Sequence, residues 1–129
     1  MKSLLIIRHA KSDWDNSSLN DFDRPLNKRG KRDAPEMAKR LLGKKISIDA
    51  FVSSPALRAF TTCKIIAQEY GIKENQILVK HELYEAHWSV FYDVIHDFDH
   101  EHNCIAIFAH NPAVTHMANQ LTNARVDKM

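Results

Sequence analysis

Apolar residues are grouped along this chain in blocks of two different periods. Ser3 to Ile7 is an unbroken apolar run rich in leucine and isoleucine. Such a run, lacking alternation, reads as a strand covered on both faces. Lys11 to Asn27 is polar, with Pro25 near its end, and reads as a long surface loop of the kind that often carries function. From Lys28 to Leu42 the period becomes helical. Ala34, Met37, Ala38, Leu41 and Leu42 form one apolar face, Pro35 is expected to kink the first turns, and Gly43 is expected to stop the helix. Asp49 to Ser53 is a second strand. Ser54-Pro55 then predicts a serine cap with proline at the first helical position, opening a helix to Tyr70. Its inward residues are expected to be Leu57, Phe60, Cys63, Ile66, Ala67 and Tyr70, with Gly71 ending it. Gln76 to Lys80 is a third strand. Trp88 to Phe98 is a helix with Val90, Phe91, Val94, Ile95 and Phe98 on its apolar side. Cys104 to Ala109 is a fourth strand, and Asn111-Pro112 repeats the cap-then-proline start of a helix to about Leu121. Strands alternating with helices predict an α/β fold of three layers, α/β/α, around a mostly parallel sheet.

The 129 residues suit one domain, 1–129, and the chain shows no internal repeat, low-complexity tract or linker. At 44% hydrophobic and 26% charged, the composition is that of an ordinary globular protein with one core. A net charge of +2 is too weak a basic bias to point to nucleic acid. Cys63 and Cys104 lack metal-type or CxxC spacing and fit buried free thiols in a reducing compartment. The few apolar residues before Arg8 are too short for a signal peptide or a membrane span. A cytoplasmic protein without a membrane partner is expected.

In open parallel sheets, ligands bind beyond the C-terminal strand ends. Here the first strand delivers Arg8 and His9, and the second delivers Ser53, Ser54 and, one turn into its helix, Arg58. The fourth delivers His110 and Asn111. Two arginines and two histidines therefore converge on one sheet edge, with helix N-termini that favour an anion. Phosphate is the natural ligand: guanidinium forks match its oxygens, and an unprotonated imidazole can attack phosphorus. Taken singly, Arg8, His9, Arg58 and His110 are also what strand exits, helix surfaces and caps commonly carry; their convergence favours the anion site.

Arg8-His9-Ala10 after a short N-terminal strand resembles the RHG signature of the histidine phosphatase superfamily, which includes the phosphoglycerate mutases. The resemblance extends through Arg24-Pro25-Leu26 with Gly30, Ser53-Ser54-Pro55-Ala56-Leu57-Arg58-Ala59 with Thr61 and Thr62, and Ala109-His110-Asn111-Pro112. Within the superfamily the chain is most similar to the short SixA-type phosphohistidine phosphatases. The resemblance implies a phosphoglycerate mutase-like fold and a phosphatase with no metal or other cofactor. It implies that His9 is the nucleophile and that Arg8, Arg58 and His110 hold the phosphoryl oxygens, with the Asn111 backbone N–H as a further donor. Arg24 either joins the phosphate site or orients Asp15. A proton donor, where one is used, is expected at Glu85, which otherwise is a surface glutamate; SixA-type enzymes do without such an acid. The implied partner is a phosphorylated substrate such as a histidine-containing phosphotransfer protein, or a small phosphoester. A phosphomutase and a phospho-ligand binding module are the alternatives.

Three departures from the family pattern stand out. Ala10 replaces the usual glycine, Asp15 lies where mutase-type members carry an asparagine, and relatives commonly continue past the position of Met129 into one more strand. Elsewhere, His96, His100 and His102 read as a solvated helix end rather than a metal site, and His116 as a partly buried packing residue. Trp14 and Phe22 read as pins of the long loop or as a pocket mouth, and Lys28 to Lys31 as a solvated helix start.

Overall fold

The computed structural model describes residues 3–12, 20–85, 87–98 and 102–121. Four strands, β1 (Ser3–Arg8), β2 (Ala50–Ser53), β3 (Leu78–Val79) and β4 (Cys104–Ala109), form one sheet in the order β1-β4-β2-β3. All three pairings are parallel, with Ile6 opposite Ile107 and Val52 opposite both Ile107 and Leu78. Every residue of β4 is buried, as its continuous apolar run predicts for a central parallel strand. β1 carries the same kind of sequence but pairs only with β4 in this sheet, so its apolar residues are half-buried rather than covered.

Successive side chains of a strand point to opposite faces, and this alternation builds two cores. On one face Phe51, Ala106 and Phe108 pack against α1 (Lys28–Gly43) and α2 (Leu57–Glu69) through Ala38, Cys63, Ile66 and Ala67. On the other, Val52, Ile105 and Ile107 pack against α3 (Trp88–His96) and α4 (Ala113–Leu121) through Phe91, Val94, Val114 and Met117. This is the three-layer α/β/α arrangement expected. Phe51, Phe91 and Phe108 are all fully buried. Each contributes about 1.5–3 kcal/mol by leaving water.

Several local expectations change. α1 runs through Pro35 and includes Gly43; the left-handed residue after it is Lys45, at φ 59°. The buried stripe of α1 is the small set Gly30, Ala34 and Ala38, while Met37 and Leu42 are exposed. Small residues face inward because α1 packs closely on its neighbours. α2 starts at Leu57 rather than Pro55, with Ala56 as its cap and no capping side chain. Leu57 is therefore exposed and Arg58 buried, rotating the helix face away from the one expected. Gly71 ends the helix as expected, at φ +75°. His116 is exposed rather than packed. No helix among the described residues is long and apolar enough to cross a membrane.

Candidate active site

The ends of β1, β2 and β4 open into one cleft of about 750 Å³. His9 follows directly on β1, and its N–H donates to Ala109 O at 3.2 Å, tying it to the end of β4. The chain then turns under control of Thr62. Its Oγ1 accepts from the Ala10 N–H at 3.0 Å and donates to Arg58 O at 2.8 Å. One hydroxyl thus links the turn after His9 to the first turn of α2. The following residue, Lys11, presses against α1. A Cβ at Gly30 would lie 2.2 Å from Lys11 O, inside any permitted contact, so the close approach itself requires glycine. Asn27 caps α1 by accepting from the Gly30 N–H at 2.8 Å.

At the β2 end, Ser54 N–H donates to Phe108 O at 3.0 Å, and its Oγ lies 2.8 Å from His110 Nε2. The residue expected to cap a helix accepts from the Ala56 N–H ahead of α2, at 3.3 Å, and also steadies the second histidine. Asn111 has the capping role expected of it, one residue further from its helix: its Oδ1 accepts from the Thr115 N–H and hydroxyl.

The rings of His9 and His110 lie 5.4 Å apart. His9 Nδ1 is 2.7 Å from Ala10 O. A carbonyl only accepts, so the hydrogen resides on Nδ1, and the neutral ring presents an unprotonated Nε2. Burial lowers the pKa of His9 to about 4, opposed in part by that hydrogen bond and assisted by the charges of Arg58, Arg8 and Arg24. His110 is lowered to about 3, again chiefly by burial, then by Arg58 and His9. Both imidazoles are neutral at pH 7. His110 Nδ1 and Arg58 Nε are buried with no hydrogen-bond partner among the described residues. Such atoms concentrate where a site binds a ligand or does chemistry.

Arg58 and Arg24 are both buried and meet at Asp21, in the 3-10 turn Asp21–Asp23 of the long loop. Arg58 Nη2 donates to Asp21 Oδ2 at 3.0 Å and Nη1 to Asp21 O at 2.6 Å; Arg24 Nη2 donates to Oδ1 at 3.1 Å. Arg24 Nη1 also bonds Ser12 Oγ. The Tyr84 hydroxyl donates to Asp21 Oδ2 at 2.7 Å; burial first, and then this bond, push its pKa up to about 12. These partners hold the Asp21 carboxyl well below the usual carboxylate range, against the opposing effect of burial.

All seven residues expected at the site, Arg8, His9, Arg24, Arg58, Glu85, His110 and Asn111, line this cleft. Glu85 is exposed and held at φ 55°. Asp15 and Trp14 lie outside the described residues, and Arg24 pairs with Asp21. Phe22 packs edge-on against Tyr84 at 5.1 Å, which fits the pinning role. His96 and His102 pack against Tyr92 and Phe98, and His100 lies outside the described residues. Among the described residues no three metal-ligating side chains cluster. Asp21, Tyr84, Ser54 and Thr62 were not singled out for these contacts by sequence. Only Asp21 leaves a local sign, an acid three residues before Arg24, the spacing at which side chains meet on a helical turn.

The strand ends of this three-layer α/β fold gather arginines and neutral histidines, a set chemically suited to an anion such as phosphate. Residues 4–101 match the histidine phosphatase superfamily (branch 1), and the chain belongs to that superfamily. A protein of Agrobacterium tumefaciens assigned as the phosphohistidine phosphatase SixA is similar in structure, with TM-score 0.82 and 26% identity over 91% of this chain and 74% of that one. The protein histidine phosphatase SixA in complex with tungstate superimposes with TM-score 0.85, covering 98% of this chain and 80% of that one; at 23% identity the likeness is one of fold. The phosphoglycerate mutase-like fold is thereby established. An uncharacterised chloroplastic protein of Arabidopsis thaliana, At3g52155, is 39% identical over 77 residues, 59% of this chain. The chain spans about a third (35%) of the length of that curated relative.

Proposed function

We propose that this chain is a phosphatase that transfers a phosphoryl group to His9 Nε2 and then to water. The observation that carries the reading is the His9 Nδ1–Ala10 carbonyl bond, which leaves Nε2 with its lone pair beside Arg58 and His110. In the first step Nε2 attacks phosphorus, a P–N bond forms, and the bond from phosphorus to the leaving group breaks. The leaving group takes the electron pair and a proton. In the second, a water oxygen attacks phosphorus, the P–N bond breaks, and His9 and inorganic phosphate are restored. Arg8, Arg24, Arg58 and His110, with the Asn111 N–H, hold the phosphoryl oxygens through the charge spread of the transition state.

The substrate proposed is a phosphohistidine on a protein such as a histidine-containing phosphotransfer protein, or a small phosphoester. Kinship with SixA-type proteins supports the first. A phosphorylated imidazole can be protonated before it leaves and needs no acid from the enzyme, whereas an alkoxide needs one, and Glu85 at the cleft wall is the residue to supply it. The two buried free thiols fit the cytoplasmic setting proposed with this activity.

Turnover of p-nitrophenyl phosphate by wild type and His9→Ala tests the reading. Wild type is expected to release phosphate at a rate unchanged by EDTA, and His9→Ala to lose on the order of 10⁵-fold in kcat. Equal rates for the two proteins would overturn it. A phosphorylated phosphotransfer protein, compared in kcat/KM with an alkyl phosphate, then tests the substrate class.

A further inference from the structure

A buried guanidinium repels its like, and two of them converge only where an anion sits between them. Arg58 and Arg24 come from different elements, α2 and the long loop, yet both reach Asp21 within 3.1 Å. Asp21 is not a loose plug in the cleft. Arg58 grips its backbone carbonyl as well as its carboxylate, Tyr84 clasps the carboxylate from the segment after β3, and Asn20 caps the turn by accepting from the Asp23 N–H at 3.0 Å. The carboxylate therefore joins three separated pieces of chain into one wall of the cleft that contains His9 and His110.

We propose that Asp21, clasped by Tyr84, is a positioning residue that holds Arg58 and Arg24 in their binding directions before a phosphoryl group arrives. The inference rests on the phosphatase reading above and deepens it. With Asp21 in place the two guanidiniums are paired and aligned in the empty site. Without it they repel, and an incoming phosphoryl must gather them itself. Apparent affinity falls in proportion to the fraction of molecules in which both point correctly. Once the phosphoryl is bound it replaces the missing anion, so the bound complex still reacts. The signature is a loss in KM with kcat largely kept.

The experiment compares wild type, Asp21→Ala, Asp21→Asn and Tyr84→Phe in p-nitrophenyl phosphate kinetics and in tungstate binding by calorimetry. Asp21→Ala is expected to raise KM and the tungstate Kd about tenfold or more, with kcat within about threefold. Asp21→Asn keeps an acceptor oxygen but not the charge, and Tyr84→Phe loosens the carboxylate; both are expected to move the same way by less. A merely structural role lowers the melting temperature and kcat together at unchanged KM, and that result overturns the proposal. Tighter tungstate binding by Asp21→Asn also overturns it, since it makes the carboxylate a competitor of the phosphoryl. Should Asp21→Ala not fold, Asp21→Asn and Tyr84→Phe decide alone. Tungstate affinity reads the proposal even if wild type turns nothing over, an outcome that sinks the phosphatase reading and not this one.

Discussion

The ends of β1 and β4 each present a histidine to the same cleft, with rings 5.4 Å apart and pKa values lowered chiefly by burial. Their supports differ. His9 bonds a carbonyl, which only accepts, so one tautomer is enforced and Nε2 is left bare. His110 bonds the hydroxyl of Ser54, which both donates and accepts, so its ring is oriented without a fixed tautomer. Two side chains of one type thus acquire different chemistry from a single hydrogen-bond partner. The β1 end suits a nucleophile; the β4 end suits a group that tolerates either proton arrangement around phosphate oxygens.

The bridge between the two ends should be the most sensitive point. Arg58 lowers the pKa of both histidines and belongs to the proposed clamp. Arg58→Ala is expected to cost about 10²–10³-fold in kcat/KM for an aryl phosphate. Arg58→Lys should recover only a small part, because a point charge lacks the planar fork. Full recovery by lysine would mean that charge alone matters there.

Gly30→Ala strikes only the β1 end. The new methyl meets the Lys11 carbonyl at 2.2 Å, and backbone on both sides must move. A loss of about 1–3 kcal/mol in denaturant stability is expected, together with reduced activity through the displaced turn after His9. Wild-type stability in this variant would show that α1 does not press on that turn.

Ser54→Ala strikes the β4 end and, through the bond its hydroxyl accepts from the Ala56 N–H at 3.3 Å, the entry to α2. It removes the hydroxyl from His110 Nε2 without touching His9. The expected loss is about tenfold in kcat/KM, near the worth of one hydrogen bond to a buried ring. An equal loss of His9 phosphorylation and of its hydrolysis would place His110 in both steps; a loss in one alone assigns it there.

The most gradual effect is one of pH. Both histidines are protonated in the unfolded chain below 6.5, whereas in the folded chain they stay neutral down to about 4 and about 3. Between those limits the unfolded state binds more protons, so stability is present in full above 6.5 and falls as pH drops toward 4. Each ring costs less than about 1.4 kcal/mol per pH unit, since both remain partly in contact with solvent. His9→Asn should flatten part of this slope in denaturant titrations. An acid limb of kcat/KM near 4 rather than 6.5 is the kinetic counterpart.

Much of this was legible in the chain. The continuous apolar runs of β1 and β4 and the Gly71 stop all stand where periodicity and turn chemistry put them. So do the strand-end residues Arg8, His9, Arg58 and His110. The faces of α1 and α2 were less legible. Hydrophobicity marks Met37, Leu42 and Leu57, but close packing selects Gly30, Ala34, Ala38 and Ala59. Ser54 has the sequence context of a cap, and only the fold brings His110 to it. Asp21 was legible only toward Arg24, three residues on: its partners Arg58 and Tyr84 lie 37 and 63 residues away, and no local pattern encodes such a meeting.

The proposed mechanism turns on His9 Nε2 as the atom that carries the phosphoryl group. Rapid mixing with an aryl phosphate, quenching in base and peptide mass spectrometry test it directly. An alkali-stable, acid-labile phosphate on His9 Nε2 is expected, formed in a burst before steady release and absent from His9→Ala. Steady wild-type turnover with no such adduct in rapid-quench samples, or an adduct on His110 instead, would contradict it.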